Sequence, residues 1–511
     1  MAQEIKIVSS KKIHFIKISA LILGPLFSLI FMLFFDLKPG HPEVTRTAAV
    51  AFLMAVWWIT EVVPLAVTAL LPVALFPFLG IMKGKVVASY YFNNIIFLFI
   101  GGFILALAMQ RWELHKRIAL KIILTIGVSP KRIILGFMSA TAFLSMWISN
   151  TATAMIMVPI AMATILKLEE NFTPELVNRF ATGMLLGIAY AASIGGMATL
   201  IGTPPNLALA KIFSITFPKA PEISFANWMI FALPISLIFL LCSWLLLTAM
   251  FARGVRFSTS LDIFKQEYQK LGKMSFEEWV IFLDFLIICL LLFFRKDINL
   301  GFFHIKGWSS LFSKPTFIDD GTVAIAFAIP LFFIPARKNK EMIMDWETAT
   351  KLPWGIVLLF GGGFALAAGF KHSGLSIWIG QQLNNLSHFN VLFIVATICT
   401  MMTFLTELTS NTATTQMILP ILASVSLAIK VNPLLLMIPA TLSASCAFML
   451  PVATPPNAII FGTQRLKVYD MAKTGIILNI IGIILITGAI FIWGKMTLGI
   501  NLFQLPTWVK G

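Results

Sequence analysis

Two pairs of short polar motifs carry the chemistry this sequence has to offer. Ser149-Asn150-Thr151 and Ser410-Asn411-Thr412 interrupt apolar runs, and so do Thr203-Pro204-Pro205-Asn206 and Thr454-Pro455-Pro456-Asn457. Ser, Asn and Thr are preferred N-cap residues, and good helix formers follow both Ser-Asn-Thr motifs. Each of these is therefore expected at a hairpin tip, opening a half-helix. Free backbone N–H groups and the positive end of a dipole then sit at membrane depth, where an anion can dock. An asparagine side chain offers donor and acceptor together, so Asn150 and Asn411 can each face an anion and a cation. The paired prolines break a span and remove donors, which leaves preceding carbonyls unpaired. Such carbonyls, with Ser, Thr and Asn oxygens, suit a hard alkali cation. Apart from Glu407, no carboxylate or basic side chain lies in the motifs. A dianion held without Lys or Arg needs positive charge from elsewhere, and co-bound sodium provides it.

The motifs recur at a fixed offset. Phe99-Ile-Gly-Gly-Phe103 matches Phe360-Gly-Gly-Gly-Phe364, the run Leu144–Thr153 matches Leu405–Thr414, and Pro159 matches Pro420, all 261 residues apart. The Thr-Pro-Pro-Asn pair is 251 apart. The linker 111–132 carries six basic residues and its counterpart 372–391 carries none, so the two face opposite sides of a membrane. Inverted repeats of this kind mark secondary transporters, whose site lies at the repeat interface near the midplane.

Composition supplies the setting. The chain is 59% hydrophobic and 12% charged over 511 residues, more apolar surface than a soluble fold can hide. The expected fold is an all-α polytopic membrane protein with about eleven spans, near 16–36, 46–63, 64–82, 90–110, 180–211, 226–251, 277–295, 321–336, 353–371, 434–463 and 473–496. The stretches 133–166 and 392–428, each with a polar knot, are expected as re-entrant hairpins. The repeats then cover 90–251 and 353–496, with scaffold spans in 16–82. Arg253–Ser275 reads as a surface amphipathic helix and Asp297–Asp320 as a solvent loop. With the N-terminus cytoplasmic, inside segments hold 24 of the 38 Lys and Arg residues, which favours that orientation in a cytoplasmic membrane. The net charge of +16 is thus a topology signal, and nucleic acid is not an expected partner.

At these residues the sequence resembles the divalent anion:sodium symporter family, sodium-coupled carriers of dicarboxylates, citrate and sulfate. The resemblance covers nearly the whole chain from about residue 46. It includes Trp57-Trp-Ile-Thr-Glu-Val-Val-Pro64, all four motifs, and Ser445-Cys-Ala-Phe448 leading to Pro451-Val-Ala-Thr-Pro-Pro-Asn457. It implies a homodimer with a scaffold and a mobile transport domain that moves like an elevator. It implies a first sodium site at Ser145, Ser149, Asn150 and backbone near Gly202, and a second at Thr406, Asn411 and the backbone of Thr409 and Ala453. The substrate carboxylates would meet Asn150, Thr151 and Thr203 on one side and Asn411, Thr412 and Thr454 on the other. The expected function is sodium-coupled symport of a C4-dicarboxylate such as succinate, malate or fumarate. A citrate or sulfate symporter and a sodium-independent dicarboxylate exchanger are the alternatives.

Other residues admit plainer readings. Ser and Thr in membrane helices often bond back to the helix or pack between helices, but that leaves the equivalence of Ser145 and Thr406 unexplained. Glu61 and Glu407 lie at membrane depth and are candidates for function or for capping breaks. Asp284 reads as structural, the Gly-Gly-Phe segments as packing surfaces, and the four cysteines as small hydrophobes. No Ser/His/Asp, metal-ligand or paired-carboxylate set shares a depth, so an enzyme is not expected. A channel is disfavoured because the repeats lack a filter of carbonyl-rich loops.

Overall fold

The computed structural model describes residues 2–127, 129–254, 262–299, 304–338, 341–501 and 504–509. It is almost wholly helical. Among the described residues the only strands are two short ones, Ile298–Asn299 and His304–Ile305, paired antiparallel. Among the described residues six stretches are long and apolar enough to cross a membrane: Lys17–Phe34, Gly84–Arg111, Asn150–Glu169, Phe225–Phe251, Trp354–Ser373 and Val468–Ile492. They occupy different places. The first exposes Ile22, Phe27 and Leu33 to what must be lipid, whereas Trp354–Ser373 is mostly buried among other helices.

That central helix and Asn94–Arg111 carry the glycine motifs, and glycine lets neighbours come close. A Cβ on Gly101 would lie 2.7 Å from Ala324 of the helix Asp320–Ala328. Gly361, Gly362 and Gly363 pack in turn against Tyr91, Ala69 and Gln416. The two glycine helices meet at Phe99 and Phe360, edge to face with ring centroids 5.4 Å apart. The two phenylalanines occupy equivalent positions in the sequence repeat, 261 residues apart.

Proline and caps set the ends of the elements. The stretch 64–82 is two short helices, Leu65–Thr68 and Leu71–Phe78, rather than one span. The stretch 321–336 likewise stops being α-helical at Ala328 and tightens into a 3₁₀ turn, Ile329–Phe332, around Pro330. Of the amphipathic segment 253–275, Asp262–Lys270 is helical, and 255–261 lies outside the described residues. The segment 297–320 contains the strand pair and two 3₁₀ turns.

A buried ion cluster ties three connections together. Arg295 donates from Nε to Asp320 Oδ1 at 2.5 Å, from Nη2 to Glu222 Oε1 at 2.9 Å and from Nη1 to the Ile318 carbonyl at 2.8 Å. Asp320 Oδ2 in turn accepts from the Phe225 amide at 3.1 Å, and Lys296 pairs with Glu222.

Candidate functional site

Each Ser-Asn-Thr motif closes the turn between two helices and opens the second of them. Pro130–Ser145 leads into Asn150–Glu169, and Val391–Thr406 into Asn411–Ala428. Ser149 and Ser410 are the N-caps, accepting from the amides of Ala152 at 3.2 Å and Ala413 at 3.5 Å. The remaining first-turn N–H groups have no partner within the helix, so the two helix starts are ready to receive negative charge.

The Thr-Pro-Pro-Asn motifs sit where two other helices break. Pro174–Gly196 unwinds before Pro204–Thr216, and Leu434–Ser443 before Pro455–Gly462. Thr203 and Thr454 are extended N-cap residues at φ −144° and −142°, and Pro follows each at the position where no amide is needed. The Thr454 hydroxyl accepts from the Asn457 amide at 3.4 Å.

Contrary to expectation, not all carbonyls of the breaks are free, because the motif asparagine takes several of them. Asn206 Nδ2 donates to the carbonyls of Gly196, Met197 and Thr199 at 3.2, 3.3 and 2.7 Å. Asn457 Nδ2 donates to those of Ala447 and Leu450, both at 3.0 Å. These asparagines are staples of the unwound backbone.

Hairpin turn and helix break come together in each repeat. Ser145 Oγ lies 2.5 Å from Asn150 Oδ1 and 2.7 Å from the Ala192 carbonyl. A hydroxyl has one proton, so it can serve only one of these acceptors. More oxygens border the same spot. A Cβ on Gly196 would lie 2.7 Å from Asn150 Oδ1 and 3.1 Å from the Gly202 carbonyl; one on Gly202 would lie 2.6 Å from the Gly196 carbonyl and 3.0 Å from that of Ser145. Glycine is the residue that lets these groups converge.

The second repeat copies the arrangement. Thr406 Oγ1 lies 2.5 Å from Asn411 Oδ1 and 2.8 Å from the Ala444 carbonyl. Both clusters are built of neutral oxygens, the donor set for an alkali cation.

Of the residues expected in the first cation site, Ser145, Asn150 and Gly202 come together, while the Ser149 hydroxyl is engaged in the cap. Of the second set, Thr406 and Asn411 come together. The Thr409 hydroxyl bonds the Leu405 carbonyl at 2.8 Å and the Thr414 hydroxyl at 2.6 Å, and the Ala453 amide bonds Leu450 within the break; neither contact uses the backbone oxygen expected at those two positions. Thr151 and Thr412 occupy the first turns of the two tip helices, Thr412 buried and Thr151 half-buried. Ala192, Gly196 and Ala444 are additional members that act through backbone alone.

Glu407 is buried and grips the second break, accepting from the amides of Phe448, Met449 and Leu450 and from Asn479 Nδ2. Glu61, by contrast, is an exposed C-cap with φ 47°, remote from burial of this kind. Asp284 is half-buried on the helix Phe276–Phe293, with Oδ2 unpaired among the described residues.

Residues 20–500 match the family described as the sodium:sulfate symporter transmembrane region. The chain is 43% identical over 498 residues to the sodium-dependent dicarboxylate transporter SdcS of Staphylococcus saprophyticus, an alignment covering 95% of this chain and 92% of the relative. It is 45% identical over 497 residues to SdcS of Staphylococcus aureus, with the same coverage. Two solved structures share its fold at low identity. Neisseria gonorrhoeae MtrF, described as one of a class of antimetabolite efflux pumps, aligns with TM-score 0.53 at 12% identity over 83% of this chain and 85% of its own. The Alcanivorax borkumensis YdaH transporter aligns with TM-score 0.55 at 11% identity over 87% and 98%.

Proposed function

Because this chain belongs to the sodium:sulfate symporter family, we propose that it is a sodium-coupled symporter of C4-dicarboxylates such as succinate, malate or fumarate. The observation that carries this reading is the duplicated cluster: a hydroxyl, an asparagine oxygen and a main-chain carbonyl, each beside the start of a half-helix. Sodium ions fill the two clusters, one at Ser145, Asn150 and Gly202 with Ser149 capping, the other at Thr406 and Asn411 with the backbone of Thr409 and Ala453. The bound cations and the two helix starts together supply the positive charge that a dianion needs. Its carboxylates are held by Asn150, Thr151 and Thr203 on one side and Asn411, Thr412 and Thr454 on the other.

Transport follows by movement of the site-bearing hairpins and broken helices against the remaining helices, in a homodimer embedded in a cytoplasmic membrane with the N-terminus inside. The names of the SdcS relatives support a dicarboxylate over sulfate or citrate. Retention of oxygen ligands in both clusters supports symport over sodium-independent exchange. Proteoliposomes containing the purified chain should accumulate labelled succinate under an inward sodium gradient and not under an equal choline gradient. Equal uptake under both would reject the reading, and citrate or sulfate outcompeting succinate would change its substrate.

A further inference from the structure

Glu407 has no acidic counterpart in the other repeat, where the position 261 residues earlier is Met146. Its carboxylate meets only donors. Oε1 accepts from the amides of Phe448 at 2.8 Å and Met449 at 2.9 Å and from Asn479 Nδ2 at 2.8 Å, while Oε2 accepts from the Leu450 amide at 3.1 Å. Four N–H donors and no acceptor is the bonding pattern of an ionised carboxylate. In the first repeat the corresponding job falls to a neutral group. The Thr199 hydroxyl, 251 residues before Leu450, donates to the Met146 carbonyl at 2.5 Å and accepts from the Gly202 amide at 3.0 Å.

The carboxylate is tied to the second cluster at both ends. It follows Thr406 in sequence, and the break it grips begins at Ala444, whose carbonyl lies 2.8 Å from the Thr406 hydroxyl. Among the described residues no cationic side chain is one of its partners, so its buried charge is met there by dipoles alone. Such a charge is costly, and a cation brought close relieves it.

We propose that Glu407 is a positioning residue of the second cation site and its resident negative charge: it fixes the 444–454 break against Thr406 and Asn411 and draws sodium to that cluster. This rests on the reading that the Thr406, Asn411 and Ala444 oxygens take sodium. The two cation sites are then unequal, the second filling at lower sodium than the first. In a partly polarisable interior a unit charge of this kind changes the affinity of a neighbouring cation by about tenfold.

The test is a sodium titration of the full-length protein, with choline chloride holding ionic strength constant, read by thermal shift and by labelled succinate uptake in proteoliposomes. E407Q keeps the shape and removes the charge, and E407D keeps the charge and shortens the reach. The midpoint of the lower-sodium transition should rise about tenfold in E407Q and stay within about threefold in E407D. A wild-type midpoint in E407Q, or a larger rise in E407D than in E407Q, would reduce Glu407 to a strut and overturn the proposal. If E407Q does not fold, E407D decides alone: a tenfold rise there counts against it. A wild-type protein with no sodium response in either assay rejects the sodium reading of the cluster itself, a failure distinct from all of these.

Discussion

Thr406 stands to Asn411 as Ser145 stands to Asn150: in each pair the hydroxyl lies 2.5 Å from the amide oxygen five residues on and reaches a main-chain carbonyl of the facing broken helix. T406A and S145A remove one oxygen from each cluster and leave the others. Loss of such a contact in a buried site is worth about 1–3 kcal/mol. Each variant is expected to need roughly ten- to hundredfold more sodium for half-maximal uptake. A sodium titration at saturating succinate checks it, and an unchanged midpoint in both would remove these hydroxyls from the site.

The staples make a different prediction. Asn206 Nδ2 shares its two protons among three carbonyls, and that of Met197 also accepts from Trp228 Nε1 at 3.0 Å, so N206L takes the side-chain partner from those of Gly196 and Thr199 in a buried break. The expected loss is about 2–4 kcal/mol of stability, seen as a lower thermal midpoint without ligand. N206D should be no better, since a carboxylate has no proton for those carbonyls. A wild-type thermal midpoint in N206D would show that the break holds itself.

Gln416 is fully buried, and both of its amide atoms lack partners among the described residues. Its repeat mate is Met155. Q416M removes an unsatisfied amide at nearly equal volume and is expected to stabilise the protein by about 1–2 kcal/mol. G363A should do the opposite, because a Cβ there would run into the Gln416 side chain. Both are read as thermal midpoints in detergent.

The ion cluster at Arg295 sets the response to acid. Burial pushes the Glu222 carboxyl up, but Arg295 and Lys296 beside it prevail and hold it below its ordinary value. A carboxyl lowered by folding stabilises the native state above its unfolded pKa, and that contribution fades as pH falls through the folded one. Acid should therefore loosen the junction below about pH 4, and E222Q should flatten that part of a stability–pH curve. R295M leaves Asp320 without its cation and is expected to cost about 3–5 kcal/mol. Thermal denaturation across pH measures both.

Side chains that repeat were legible in the sequence, and groups that act through the backbone were not. Ser145, Asn150, Thr406 and Asn411 stand out because two distant stretches share the same polar residues in apolar surroundings. Ala192, Gly196 and Ala444 look like ordinary helix-packing residues; only the folded chain brings their carbonyls or close approach to the motif. The role of Asn206 and Asn457 was hidden for a related reason. Their partners are carbonyls of unwound backbone seven to ten residues away, and the sequence does not say where a helix unwinds. The double proline marked each break correctly, but it also led to carbonyls being counted as free that an amide already occupies. Long apolar helices such as Phe225–Phe251 were plain from hydropathy, whereas Pro72 and Pro330 mark breaks in stretches that hydropathy alone reads as continuous.

The asparagine staples also bear on speed. Because side-chain amides, rather than arriving ions, hold the unwound segments open, the entropy of ordering that backbone is settled when the protein folds. On the function proposed above, cargo would enter a preorganised cradle and leave it standing. Each turnover would be spared a cycle of local melting and refolding, and the empty carrier would reset without rebuilding its own binding surface.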